Sequence, residues 1–238
     1  MKHDDVQSIF QRYLNAPLNR KKFLTISALS GATLVLGAQA CNDDDVPMPP
    51  SGAIDVGGGD PGILNFAYAL EQLEAAFYIK ACSSFYSGAV TEEKQVLTDI
   101  RDHEIAHRDL FKAALGQGAI PELEFDFSAI NFSSRDSVLG TAKALEDTGV
   151  SAYNGAGAYI TTKDYLILAG KIVSVEARHA AAIRYLLNPG SADFAGDDVV
   201  DAATGLDTSR TPNQGGSSSI VATANSFLVT KISATQLP

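Results

Sequence analysis

Four stretches of the chain repeat apolar residues at the three-to-four spacing of a helix, separated by turn-forming segments. In the first, Leu64, Ala67, Tyr68, Leu70, Leu73, Phe77 and Tyr78 recur between Asp60-Pro61 and Ser87-Gly88. Asp60 suits an N-cap and Pro61 the first helical position, so a helix is predicted from there to about Tyr86. Thr91, with Glu92 and Glu93 against the positive end of the helix dipole, opens a second helix that runs to about Leu115 and stops at Gly116. A third starts behind Ser133 or Ser134 and reaches about Tyr159. Its Gly149, Gly155 and Gly157 each cost up to ~1 kcal/mol relative to Ala, which suggests close backbone approach to a neighbouring helix. The fourth is capped by Thr161 or Thr162, passes through Leu187 and ends at Asn188-Pro189-Gly190.

The connections set the topology. Residues 116–132 contain Pro121 and alternating Phe, and a link of this length is needed when the second and third helices run parallel. Residues 190–214 read as Gly/Asp/Ser/Thr-rich loop, and Ile220 to Leu237 fits either a short helix or an extended arm. Nothing in the pattern builds a sheet. The fold class is therefore all-α: a four-helix bundle over 60–188 with a long crossover between helices 2 and 3, and an irregular C-terminal tail over 189–238 packed on it.

Ahead of the bundle the pattern changes. Arg20, Lys21 and Lys22 precede an apolar run from Phe23 to Ala38, shorter than the roughly 20 residues of a membrane span. With Ala38-Gln39-Ala40 as a small-residue cleavage site, residues 1–40 read as a signal peptide. Asn19 to Leu24 resembles a twin-arginine export signal with Lys21 in place of the second Arg. Cys41, directly after the cleavage site, resembles the lipid-accepting cysteine of a bacterial lipoprotein, and Asp43-Asp44-Asp45 resembles an acidic surface-export tether. These resemblances imply an exported protein, periplasmic or anchored at the outer membrane of a Gram-negative bacterium through Cys41; plain cleavage after Ala40 gives a periplasmic protein without an anchor. With Cys41 lipidated, Cys82 has no partner and reads as a small buried apolar residue. Residues 41–59, rich in Pro, Gly and Asp, read as a flexible tether.

Composition narrows the function. The net charge of −10 and the absence of a Lys/Arg cluster beyond the first 25 residues exclude a nucleic-acid partner. Two cysteines exclude a Cys-based zinc site. Only four histidines are present, and two of them share one motif: Glu104-x-x-His107 on the second helix and Glu176-x-x-His179 on the fourth. A spacing of three puts both side chains on one helix face, within reach of one metal ion. With nine Glu in 238 residues, two such matches among four histidines arise by chance at roughly the one per cent level.

The first and third helices supply matching residues. Glu71 is followed seven positions later by Tyr78, and Glu146 seven later by Tyr153, two turns along the same face. The chain thus repeats a helix pair, Glu-x6-Tyr then Glu-x-x-His, about 75 residues on. Glu71 and Glu74 are three apart and either fits as the first-helix donor; the Tyr spacing favours Glu71. Glu71, Glu104, His107, Glu146, Glu176 and His179 are the candidate metal ligands. Four carboxylates balance two divalent cations, and mixed oxygen and nitrogen donors suit two Fe or two Mn ions held about 3.5–4 Å apart by bridging Glu. Tyr78 and Tyr153 are candidates for a redox or supporting role beside ordinary core packing. His103 falls about 100° round the helix from Glu104 and reads as a surface residue, while Asp102 and Asp147 are candidates to orient the histidines.

The stretches LNFAYALEQLEAAFY (64–78), DHEIAHRDLF (102–111), LEDTGVSAYNGA (145–156) and VSVEARHAAAIRYL (173–186) resemble the ferritin-like superfamily, in particular the bacterial ferritin-like domain group that includes desiccation-related proteins. The resemblance spans about 62–188 and implies a four-helix bundle with a di-metal centre that oxidises Fe(II) or handles O2 or peroxide. The alternative is a non-enzymatic, stress-related module built on the same bundle, since the group includes oxidases, storage proteins and catalases.

Overall fold

The computed structural model describes residues 52–201 and 204–238. The predicted signal peptide, Cys41 and the tether up to Ser51 lie outside the described residues.

Four long helices make the body: α1 (Gly59–Ser83), α2 (Thr91–Leu115), α3 (Arg135–Gly157) and α4 (Lys163–Leu187). α1 lies along α2 and α3 along α4, and contacts of α1 with α3 and of α2 with α4 close the bundle. The links at 84–90 and 158–162 are short, whereas 116–134 crosses over between α2 and α3, as the spacing predicts. Phe66, Tyr68, Phe77, Tyr78, Leu97, Leu139 and Ile183 are fully buried in the common core, and each such side chain contributes about 1.5–3 kcal/mol relative to exposure. Among the described residues, no helix is long and apolar enough to cross a membrane.

The helix ends differ from expectation in instructive ways. α1 starts one residue before Asp60, behind Gly58, and Asp60 caps nothing on its own helix. Its buried carboxylate instead accepts the backbone N–H groups of Thr161 (2.9 Å) and Thr162 (2.8 Å), pinning the α3–α4 turn to the start of α1. Burial works to raise the Asp60 pKa, but these hydrogen bonds outweigh it and hold the carboxyl below its ordinary value. Thr162 is the α4 N-cap residue but makes no side-chain cap of its own; Asp60 bonds its N–H from across the bundle. Ser134 does cap α3, accepting from Ser137 N–H. Glu93 accepts from Val90 N–H at the start of α2 and from Arg135 Nε (2.7 Å) at the start of α3, and Arg135 Nη2 reaches Leu186 O at the end of α4. One buried carboxylate and one guanidinium thus lock three helix ends together.

The crossover owes its alternating Phe residues to the core. Phe127 sits 6.2 Å from Phe77 and 6.1 Å from Phe132, ring centre to ring centre. Two buried amide side chains of α1 hold it in register with the crossover: Asn65 accepts Ile120 N–H (2.9 Å) and Gln72 accepts Leu123 N–H (2.8 Å).

The tail resolves the choice between helix and arm by forming both. α5 (Ile220–Phe227) starts at a Ser219 cap and buries Ile220 and Ala224. Beyond it, β4 (Ile232–Ser233) pairs in parallel with β1 (Ile54–Asp55). Residues 54–56, expected within the tether, are therefore paired, and Val56 is buried. A second small pair joins β2 (Val200–Asp201) to β3 (Leu206–Asp207), antiparallel. The expectation of no sheet at all is corrected by these two-stranded ribbons; at two residues per strand they staple chain ends and leave the core to the helices.

Candidate metal centre

The repeated motifs converge at mid-bundle. Glu71, Glu104, Glu146 and Glu176 are all 0% exposed, and the two histidine side chains are 12% (His107) and 5% (His179) exposed. Their donor atoms form two groups, each drawn together within 4.8 Å: Glu71, Glu104, His107 and Glu176 in one, and Glu104, Glu146, Glu176 and His179 in the other. His107 Nδ1 lies 3.4 Å from Glu71 Oε2, 3.5 Å from Glu104 Oε2 and 2.9 Å from Glu176 Oε1. His179 Nδ1 lies 2.8 Å from Glu104 Oε1, 3.4 Å from Glu146 Oε2 and 3.8 Å from Glu176 Oε2. Glu104 and Glu176 therefore turn one oxygen toward each group, and Glu71 and Glu146 serve one group each.

The tyrosines cross over. Tyr78 donates to Glu146 Oε1 (2.5 Å), and Tyr153 donates to Glu71 Oε1. Each Tyr lies two turns from one Glu on its own helix yet binds the Glu of the opposite half, a pairing the seven-residue spacing does not reveal. The bond occupies one carboxylate oxygen and leaves Oε2 facing the centre. Burial, then the charge of the bonded glutamate, raises both phenol pKa values well above normal, so both remain protonated donors.

The polar atoms at the centre do not satisfy one another. Glu71 Oε2, both oxygens of Glu104 and of Glu176, Glu146 Oε2 and both histidine Nδ1 atoms are buried without a well-formed hydrogen bond. The imidazole–carboxylate approaches are short but poorly directed, because every donor points at shared space rather than at a neighbour. Buried polar groups are otherwise almost always paired. A donor set that is unpaired, anionic and rich in hard oxygen with two imidazoles, and that contains no thiolate, fits divalent cations.

Without cations, protons must carry the balance. Burial alone would lower the histidine pKa values, but the surrounding carboxylates outweigh it: His179 is pushed up to about 12, and His107 is raised too. Burial raises Glu146 to about 7 against the pull of His179. Glu104 is driven well above the carboxylate range by burial and by Glu176. Glu176 goes the other way, to about 2, because its contacts with the two imidazoles overcome burial.

Glu74 is a fifth buried carboxylate that stands outside both groups, whereas Glu71 falls within one of them. Burial and the neighbouring Glu176 hold the Glu74 carboxyl well above its ordinary pKa. A Cβ at Gly149 would come within 3.2 Å of Glu74 Oε1 and 3.6 Å of Glu176 Oε2. That glycine makes room for carboxylates rather than for a helix backbone. Gly155 faces the backbone of Arg210, whose N–H donates to Ser151 O (3.0 Å), so it admits the C-terminal loop.

The aspartates expected to orient the histidines have arginine partners. Asp147 accepts Arg184 Nη2 (2.6 Å), and Arg101 Nη2 holds Asp102 (2.8 Å). His103 is exposed, as expected of a surface residue, but its Nδ1 lies 2.9 Å from His179 Nε2, with the two rings inclined by only 16°. Spacing along α2 could not find this contact, since its partner is on α4. Cys82 is only partly buried.

The model of a family described as a ferritin-like domain matches residues 59–189, more than half of the chain and all six converging side chains. No curated protein matches the chain.

Proposed function

Because this chain belongs to the ferritin-like domain family, we propose that its six converging residues hold a carboxylate-bridged pair of Fe or Mn ions that reacts with O2 or peroxide, with Fe(II) as one substrate. One observation carries the reading: two donor groups share Glu104 and Glu176, each contributing a different oxygen to each group. Glu71 and His107 complete one group, and Glu146 and His179 the other. A pair of such ions supplies one-electron redox chemistry and polarises a bound oxidant.

The chain's own residues do the rest. Tyr78 and Tyr153 fix the two unshared glutamates and hold a proton on each hydroxyl at the edge of the site. Phe77 and Leu97, fully buried, keep bulk water out of the bundle interior. An apolar recess lined by Leu70, Phe111, Ala152 and Tyr153 meets the edge of the site at Tyr153, the residue that bonds Glu71.

Purified protein loaded anaerobically with Fe(II) or Mn(II) is expected to retain about two ions per chain and to consume peroxide or oxidise Fe(II). Retention below about 0.2 equivalents would end the metal reading. Two ions bound with no turnover would leave the bundle as a metal-holding module of the non-enzymatic kind.

The pattern at residues 20–41 supports an exported, lipid-anchored protein. Mass spectrometry of the mature chain is expected to find Cys41 first and lipid-modified; an unmodified N-terminus at Cys41 removes the anchor, and an intact leader removes export.

A further inference from the structure

The two halves of the centre repeat each other in every ligand but differ just outside it. On the His179 side, Nδ1 faces Glu104, Glu146 and Glu176, and Nε2 meets His103 Nδ1 at 2.9 Å. On the His107 side, Nδ1 faces its three carboxylates in the same way, but no described residue hydrogen-bonds its Nε2. The sequence repeat shows why. His103 immediately precedes Glu104, and the equivalent position before Glu176 is Val175, which has no polar atom to offer.

An imidazole that gives Nδ1 to a cation carries its proton on Nε2 and needs an acceptor there to fix its tautomer and ring plane. Asp147 cannot serve, because Arg184 occupies its carboxylate through Nε and Nη2. His103 can: its Nδ1 already stands 2.9 Å from His179 Nε2, at hydrogen-bond distance from the ring nitrogen that faces away from the carboxylates. Resting on the metal reading above, we propose that His103 is a positioning residue for His179, and that it makes the two metal positions inequivalent, with the His179-side position the tighter one.

Mn(II) binding to the full mature chain tests this, read as affinity and stoichiometry by calorimetric titration. His103→Leu is expected to weaken one of the two equivalents by roughly 10–100-fold and to leave the other nearly unchanged. His103→Gln restores an acceptor oxygen and is expected to recover most of the loss. The affected position is assigned in single-site backgrounds. With Glu71→Gln, the remaining ion sits beside His179, and His103→Leu weakens it. With Glu146→Gln, the remaining ion sits beside His107, and His103→Leu leaves it alone. Equal losses in both backgrounds, or none in either, overturn the proposal even when the wild-type chain binds two ions. A wild-type chain that binds none overturns instead the metal reading on which the proposal rests. His103 is exposed, so the melting temperature of metal-free His103→Leu is expected to match wild type; a lower one marks a structural role and counts against the proposal.

Discussion

With two ions held as proposed, Glu104→Gln and Glu176→Gln are each expected to abolish binding of both, and Glu71→Gln and Glu146→Gln each to leave one. This pattern is expected because Glu104 and Glu176 present a separate oxygen to each donor group. Glutamine keeps the shape but loses the charge and replaces one oxygen with an NH2 group, which no cation accepts as a ligand. The loss should exceed about 100-fold in affinity, above the cost of disturbing an outer partner. Stoichiometry after Mn(II) loading and desalting measures it: about zero equivalents for the shared residues and about one for the unshared. The variants are expected to fold, because glutamine keeps the shape of each side chain, and at Glu104 it replaces a carboxyl that burial and Glu176 already drive toward its neutral form in the metal-free protein. Metal-free Glu104→Gln should therefore melt no lower than metal-free wild type. Four variants that all keep two ions would show that the convergence of these side chains is structural and that cations are held elsewhere.

The metal-free protein should be most stable at about pH 4.5 and should lose several kcal/mol by about pH 9, an unusual direction for an acidic protein. The sign follows group by group. His107 and His179 have raised pKa values, so their stabilisation is complete below the ordinary histidine value and is lost as pH rises toward the folded values, about 12 for His179. Glu74, Glu104 and Glu146 also hold protons in the fold that the unfolded chain releases above about pH 4.5, so they too destabilise as pH rises, Glu146 up to about 7. Glu176 acts alone at the acid side: held at about 2, it stabilises above the ordinary carboxylate value and loses that contribution as pH falls from there. Cations require carboxylates without protons and Nδ1 atoms free to bind, so metal stabilises more as pH increases. Urea midpoints at pH 5.5 and 8 check both halves: the metal-free midpoint should fall and the gap to the loaded protein should widen. A metal-free midpoint that climbs in parallel with the loaded one would contradict the charge balance drawn for the centre.

Burial is the term that periodicity could not supply. Glu74 shows this most clearly: three residues from Glu71 on α1, it is as inaccessible as a ligand, yet it stands outside both donor groups. Helical spacing ranks the two only by analogy with Glu146 and Tyr153, because it fixes angle around one helix and says nothing of distance to another. Asp60 carries the same lesson. Its local chemistry is that of an N-cap, but its carboxylate is spent on Thr161 and Thr162, a hundred residues away. Local propensity yields there to a tertiary hydrogen-bond network of greater worth than a single cap.

The sequence by itself determined the four helices, the crossover between the pairs and five of the six residues that meet at the centre, with Glu71 ahead of Glu74 only by analogy, because helical periods of three, four and seven convert directly into a face. Only the tertiary structure decided which residues share a partner: that Glu104 and Glu176 serve both groups, that each tyrosine reaches across to the other half's glutamate, and that His103 rather than an aspartate stands behind His179. Those pairings depend on how far one helix is turned and shifted against the next. That rotation is set by packing across the whole bundle, and no window along a single helix contains it.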